Sequence, residues 1–195
     1  MVIEIIAQSL GICGMIMNIL SYQRKEQRSI IFMQLIGAAF FSANYFLLGA
    51  MAGAMLNLAA IVRAVVYVKR DRFHADSLAW VIGLSAVYAV IYALSFLVFG
   101  TEPTVKKLIV ELLPVIAMVV STVSFYLKSA GAVRFLGLVG SPLWLTYNII
   151  NFAIGGIICE AVALTSIVIG IIRYDLKKGK RALASADRVD TEQNI

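Results

Sequence analysis

The sequence predicts an all-α integral membrane fold with seven transmembrane helices in a 3+1+3 parallel-repeat arrangement. Three observations carry this. The composition is 61% hydrophobic and 14% charged, whereas soluble domains are about half apolar and about a quarter charged. The apolar residues come in blocks long enough to cross a hydrocarbon core, which takes about 20 residues of helix for about 30 Å. The chain also aligns with itself at an offset of 103 residues. The blocks are continuous and do not alternate with period two, which argues against a transmembrane barrel.

In chain order the expected spans are 3–21, 30–50, 52–68, 78–99, 108–127, 133–152 and 156–172. The second and third spans, and the sixth and seventh, run together as apolar stretches about twice the length of one crossing, so each stretch must fold back. Glycines permit the turn at Gly49 to Gly53 and at Gly155-Gly156. The block from Trp80 to Gly100 contains no charged residue. Met1 to Glu4 lacks a basic leader, so no cleaved signal is expected. The whole of 1–176 reads as one membrane domain: a first repeat over 3–72, a linker helix over 78–99 and a second repeat over 108–175. The basic, polar tail 177–195 is expected to be disordered and to lie against anionic lipid.

Charge sets the orientation. The formal net charge is +6, but the basic residues cluster between apolar blocks, so no nucleic-acid partner is expected. Arg24, Lys25, Arg28, Lys69, Arg70, Arg72, Lys128, Arg134, Arg173 and the tail together place fourteen of the 17 basic residues on one side. That bias predicts a cytoplasmic C-terminus and an external N-terminus. Cys13 and Cys159 fall inside spans without motif spacing, and His74 sits alone in a basic loop. No metal site, cofactor or disulfide framework is expected. Nucleophile–base pairs, metal-ligand clusters and phosphate-cradling glycine loops are not found, so no enzyme is expected.

The offset of 103 pairs the first three spans with the last three without a gap. Eleven identities result, among them Met15 with Met118, Ser21 with Ser124, Gly37 with Gly140, Gly53 with Gly156 and Arg70 with Arg173. Polar positions inside the spans coincide as well: Gln8 with Glu111, Asn57 with Glu160, and Asn44-Tyr45 with Tyr147-Asn148. Three spans are odd in number, so a parallel second copy needs one extra crossing, which span 78–99 supplies.

A charged side chain at mid-bilayer costs about 2.5–3.5 kcal/mol on insertion scales. Glu160 and its repeat partner Asn57 are expected to line a central polar pocket where the third helices of the two repeats converge. The bland alternative is a pair of interhelical hydrogen bonds that hold the bundle together. Glu111 reads equally as a pocket residue or as a headgroup-level carboxylate. Pro114 follows it near the expected first turn, where proline is tolerated. Arg63 reads as a snorkelling cation, with an ion pair to Glu160 or Glu111 as the sharper alternative. Trp144, Tyr45, Tyr147 and Asn148 offer stacking faces and polar contacts to a sugar-like ligand, against the alternative of plain packing.

Glu111-Leu112-Leu113-Pro114-Val115-Ile116 with Val120-Ser121-Thr122, Met55-Leu56-Asn57 followed by Arg63, and Gly155-Gly156-Ile157-Ile158-Cys159-Glu160 followed by Ile171-Ile172-Arg173 resemble the YgjV family of bacterial inner-membrane proteins. The resemblance implies an inner-membrane location and brings no activity with it. More distantly, the 3+1+3 layout is similar to the SWEET and PQ-loop transporters. In those, Trp-x-x-Tyr-Gly in a repeat's second helix precedes an Asn in its third. Trp144-Leu145-Thr146-Tyr147-Asn148 is similar, with Glu160 at the Asn position. In the first repeat Phe41 stands at the Trp position and Asn57 at the Asn position. The first repeat holds no proline, so the hinge prolines of those transporters have no counterpart there. The resemblance implies a small-solute transporter or solute-binding protein, with the lipid bilayer and an unknown small polar solute as partners. The rival is a structural or regulatory subunit of a membrane complex, acting through its helix surfaces and basic tail; a homo-oligomer is compatible with either.

Overall fold

Backbone amides inside a bilayer find no water, so an apolar chain that enters one must satisfy them within helices. The computed structural model describes residues 2–49, 51–98, 102–150 and 154–176, and these are helical apart from short connections. The helices are α1 (Val2–Ser21), α2 (Gln27–Leu47), α3 (Met51–Val68), the short α4 (Arg70–Phe73), α5 (Leu78–Leu97), α6 (Val105–Tyr126), α7 (Ala130–Ile150) and α8 (Ile154–Gly170). A π-helical turn, Ile171–Leu176, continues α8. The tail 177–195 and the second fold-back at 151–153 lie outside the described residues.

Among the described residues six segments are long and apolar enough to cross a membrane: α1, α2, α3, α5, α6 and Gly156–Leu176. The expected sixth span, α7, is 21 residues long but is not one of the six. Its sequence explains this, because Arg134, Ser141, Pro142 and Asn148 dilute its hydropathy. Three of these four are buried, Arg134 completely. α7 therefore falls short because it carries polar groups into the protein interior.

Local signals set the ends. Ser77 and Thr104 cap α5 and α6 by accepting from the amides of Ala79 and Lys107, and Ser129 accepts from Ala132 at the start of α7. Gly49, at φ +74°, ends α2 at the first fold-back. Thr104 starts α6 earlier than expected, which corrects the reading of Pro114: it is buried well inside the helix rather than in its first turn. There it removes one intrahelical donor.

Each half packs as a row. α2 lies between α1 and α3, and α7 lies between α6 and α8, while α5 bridges α3 and α6. Between the halves the touching pairs are α1 with α8, α2 with α7 and α3 with α6. The crossing of α1 and α2 is close enough that a Cβ on Gly14 would lie 3.1 Å from the Gly37 carbonyl oxygen. The buried apolar core includes Ile30, Ile31, Leu56, Tyr88, Met118 and Phe125. Within it the Tyr88 hydroxyl meets Thr122 at 3.0 Å.

Candidate functional site

The site is built from two glycine contacts. A Cβ on Gly53 would lie 3.0 Å from the Tyr45 ring, and one on Gly156 would lie 2.5 Å from Asn148 Cγ. These are corresponding positions in the two halves. In each, a glycine of the third helix lets a polar side chain of the second helix lie flat against it. Four residues beyond Gly156, Glu160 Oε2 accepts a hydrogen bond from Ser141 Oγ of α7 at 2.6 Å. Tyr147 of α7 donates to Glu111 Oε2 of α6 at 3.4 Å. Trp144 meets Tyr147 edge to face with centroids 5.9 Å apart. The site thus holds two polar groups built on α7: Ser141 with Glu160 of α8, and Tyr147 with Trp144 and Glu111 of α6.

Other expected members are engaged elsewhere. Asn57 Nδ2 donates to the Gly53 carbonyl of its own helix at 2.9 Å. The helices that meet at the centre are α2 and α7, and α3 with α8 is not among the principal packing pairs. Asn44 is buried and donates to the Ala7 carbonyl at 2.7 Å, tying α2 to α1. Asn148 is buried against Gly156, and Gln8 is exposed. Arg63 neither snorkels nor forms an ion pair among the described residues. It is 6% exposed, donates to the Met118 carbonyl at 3.2 Å and lies 4.8 Å from the Phe125 ring centroid. The electron-rich ring and the carbonyl take the place of the water that a snorkelling cation would reach.

A second polar cluster was not expected from the sequence. Arg134 Nη1 contacts both Asp175 oxygens at 2.9 Å, Nε donates to the Tyr22 carbonyl at 3.0 Å, and Nη2 donates to the Arg24 carbonyl. Tyr174 donates to the Gln23 carbonyl at 3.0 Å, and Gln23 donates to Ser166. The second half thereby holds the C-terminal end of α1. The first half holds the corresponding end of α6: Gln27 donates to the carbonyls of Ser124 and Phe125, and Arg70 to those of Phe125 and Tyr126. Arg70 and Lys128 also pair with Asp76 at 3.2 and 2.7 Å. The Lys128 hydrogen bond is the main cause that keeps the Asp76 carboxyl below the usual carboxylate range. All these ties lie on the face that carries the basic loops.

Ser141 was also missed. A lone serine in an apolar helix has no sequence signal, and only its neighbour Pro142 marks the place.

Long apolar helices enclosing buried polar side chains define a polytopic α-helical membrane protein. The chain belongs to the YgjV family of bacterial inner-membrane proteins, whose family model matches residues 5–178. No curated protein and no solved structure matches it.

Proposed function

We propose that this protein binds a small polar solute between its halves and carries it across the inner membrane. The observation that carries the reading is Glu160, a carboxylate inside an apolar helix. It is held by Ser141 of the neighbouring helix α7. An ionised carboxylate only accepts hydrogen bonds, so it suits a hydroxyl-rich or cationic solute. Tyr45, Tyr147 and Trp144 add faces that such a solute can stack on. No catalytic step is part of this reading.

The proposed frame is seven spans in a 3+1+3 arrangement, with the N-terminus outside and the C-terminus in the cytoplasm. Several features support it. α7 has the length of a crossing, and its Arg134, Ser141 and Asn148 are buried. An exchange of halves swaps the α1–α8 contact with the α3–α6 contact and leaves α2–α7 unchanged. The paired contacts Gly53–Tyr45 and Gly156–Asn148 obey the same exchange. The layout of SWEET transporters is the nearest analogy, resting on Trp144, Tyr147 and the two third-helix positions.

The test is uptake into proteoliposomes over a panel of polyols, sugars and small cations, with wild type, Glu160→Gln, Ser141→Ala and Asn57→Ala. A hydrogen bond to a charged group contributes about 1.5–3 kcal/mol. Glu160→Gln should therefore reduce solute affinity roughly 10- to 100-fold while the protein still accumulates. Asn57→Ala should have a smaller effect, because that amide already bonds its own helix. If no solute is taken up by wild type, the rival reading as a non-transporting subunit takes over.

A further inference from the structure

On the basic face, where α2 begins and α3 ends, there is a cleft of about 340 Å³. Arg28, Lys69, Arg70, Asp71, Arg72 and Tyr67 line it, with Ile31 and Val68 as apolar neighbours. Four cations face one carboxylate. Arg70 is committed to Asp76 and to the end of α6. Arg28, Lys69 and Arg72 are exposed and have no carboxylate at ion-pair distance among the described residues. Three cations are thus free to bind an anion at the rim.

Tyr67 is a second and independent sign. It is 3% exposed, and its hydroxyl has no hydrogen-bond partner among the described residues. A buried hydroxyl without a partner is costly, and here it belongs to a residue that lines the cationic cleft. The start of α2 adds to the field, because Glu26 makes no side-chain cap there and leaves first-turn amides free.

We propose that this cleft binds a phosphate ester, and specifically the headgroup of an anionic membrane lipid. The phosphate takes donors from Arg28, Lys69, Arg72 and the Tyr67 hydroxyl. Position selects the lipid as its source. The cleft lies at the ends of α2 and α3, two helices long and apolar enough to cross a membrane, which is where headgroups meet such helices. Basic pockets between helices on the positively charged side of a membrane protein are suited to this chemistry.

The test uses the purified full chain in a neutral detergent. Thermal stability is followed while short-chain phosphatidylglycerol, short-chain phosphatidylcholine or inorganic phosphate is titrated. The proteins are wild type, Tyr67→Phe and the triple variant Arg28→Gln/Lys69→Gln/Arg72→Gln. Phosphatidylglycerol should raise Tm saturably in wild type, and phosphatidylcholine should not. Tyr67→Phe keeps the ring and should weaken the phosphatidylglycerol response about tenfold in concentration. The triple variant, changed only at exposed positions, should fold and lose the response. Equal shifts with the two lipids, or an undiminished phosphatidylglycerol response in the triple variant, would overturn the proposal. A shift by inorganic phosphate at the same concentrations as phosphatidylglycerol would assign the cleft to a soluble anion and overturn the lipid source. If the triple variant fails to fold, an unchanged response in Tyr67→Phe overturns the proposal by itself.

Discussion

Arg134 is fully enclosed, yet each of its three guanidinium nitrogens has a partner. Arg134→Ala would strand the Asp175 carboxylate and two carbonyls. Removing one partner of a buried pair costs about 3–5 kcal/mol, so this variant should melt well below wild type in detergent. Arg134→Lys should recover only part of the loss, because one ammonium cannot reproduce donors spread over three planar nitrogens. From the sequence Arg134 reads as an orientation charge, because it lies near the end of an apolar block. Its partner is 41 residues away, beyond any local pattern. Glu160 was legible, since a carboxylate deep in an apolar run needs a reason to be there; its Ser141 partner was not. Asp76 gives a pH prediction. Its folded-state value is depressed, so its contribution is fully present above the ordinary carboxylate range and is lost as pH falls through the depressed value. The stability difference between wild type and Asp76→Asn should stay constant from pH 8 to pH 5 and shrink only below about pH 4.

Among the helices, α5 was expected to be a passive linker, and its contacts are with α3 and α6. Tyr92 donates to the Leu108 carbonyl near its exposed end. Tyr92→Phe should therefore leave any solute response unchanged in the uptake assay, while Glu160→Gln reduces it; the reverse pattern would move the site. α8 makes a different demand. A Cβ on Gly170 would lie 2.6 Å from the Tyr22 carbonyl oxygen and 3.0 Å from Arg134 Cδ. Gly170→Ala should cost about 1–3 kcal/mol through overpacking, again read as a melting shift. The helices themselves were legible because bilayer-length apolar runs leave the backbone few alternatives. Their ends were less so. α6 starts at its Thr104 cap before the apolar run begins, and that shift alone moves Pro114 from the first turn to the interior.

At the scale of the molecule, the basic bias predicts which face lies in the cytoplasm. A reporter active only in the cytoplasm should give signal when fused after Lys178 and none when fused after Lys107. The opposite pattern would invert the proposed orientation. The offset of 103 residues is a feature of the sequence, and it leaves the packing of the helices open. Hydropathy does not say which helices meet, and the small residues that decide it, Gly14, Gly37, Gly53 and Gly156, gain meaning only from what lies against them.

The π-helical turn Ile171–Leu176 has a consequence for the length of the chain as well as for its composition. A π turn accommodates one residue more than an α turn. Deleting a single residue between Gly170 and Tyr174 would let the helix relax to the ordinary pitch, with one α turn in place of one π turn, so Asp175 would keep nearly its direction around the axis. The ion pair with Arg134 would then survive the loss of a residue. The basic face is therefore tolerant of a one-residue deletion at this turn, and such a variant should melt closer to wild type than Arg134→Ala.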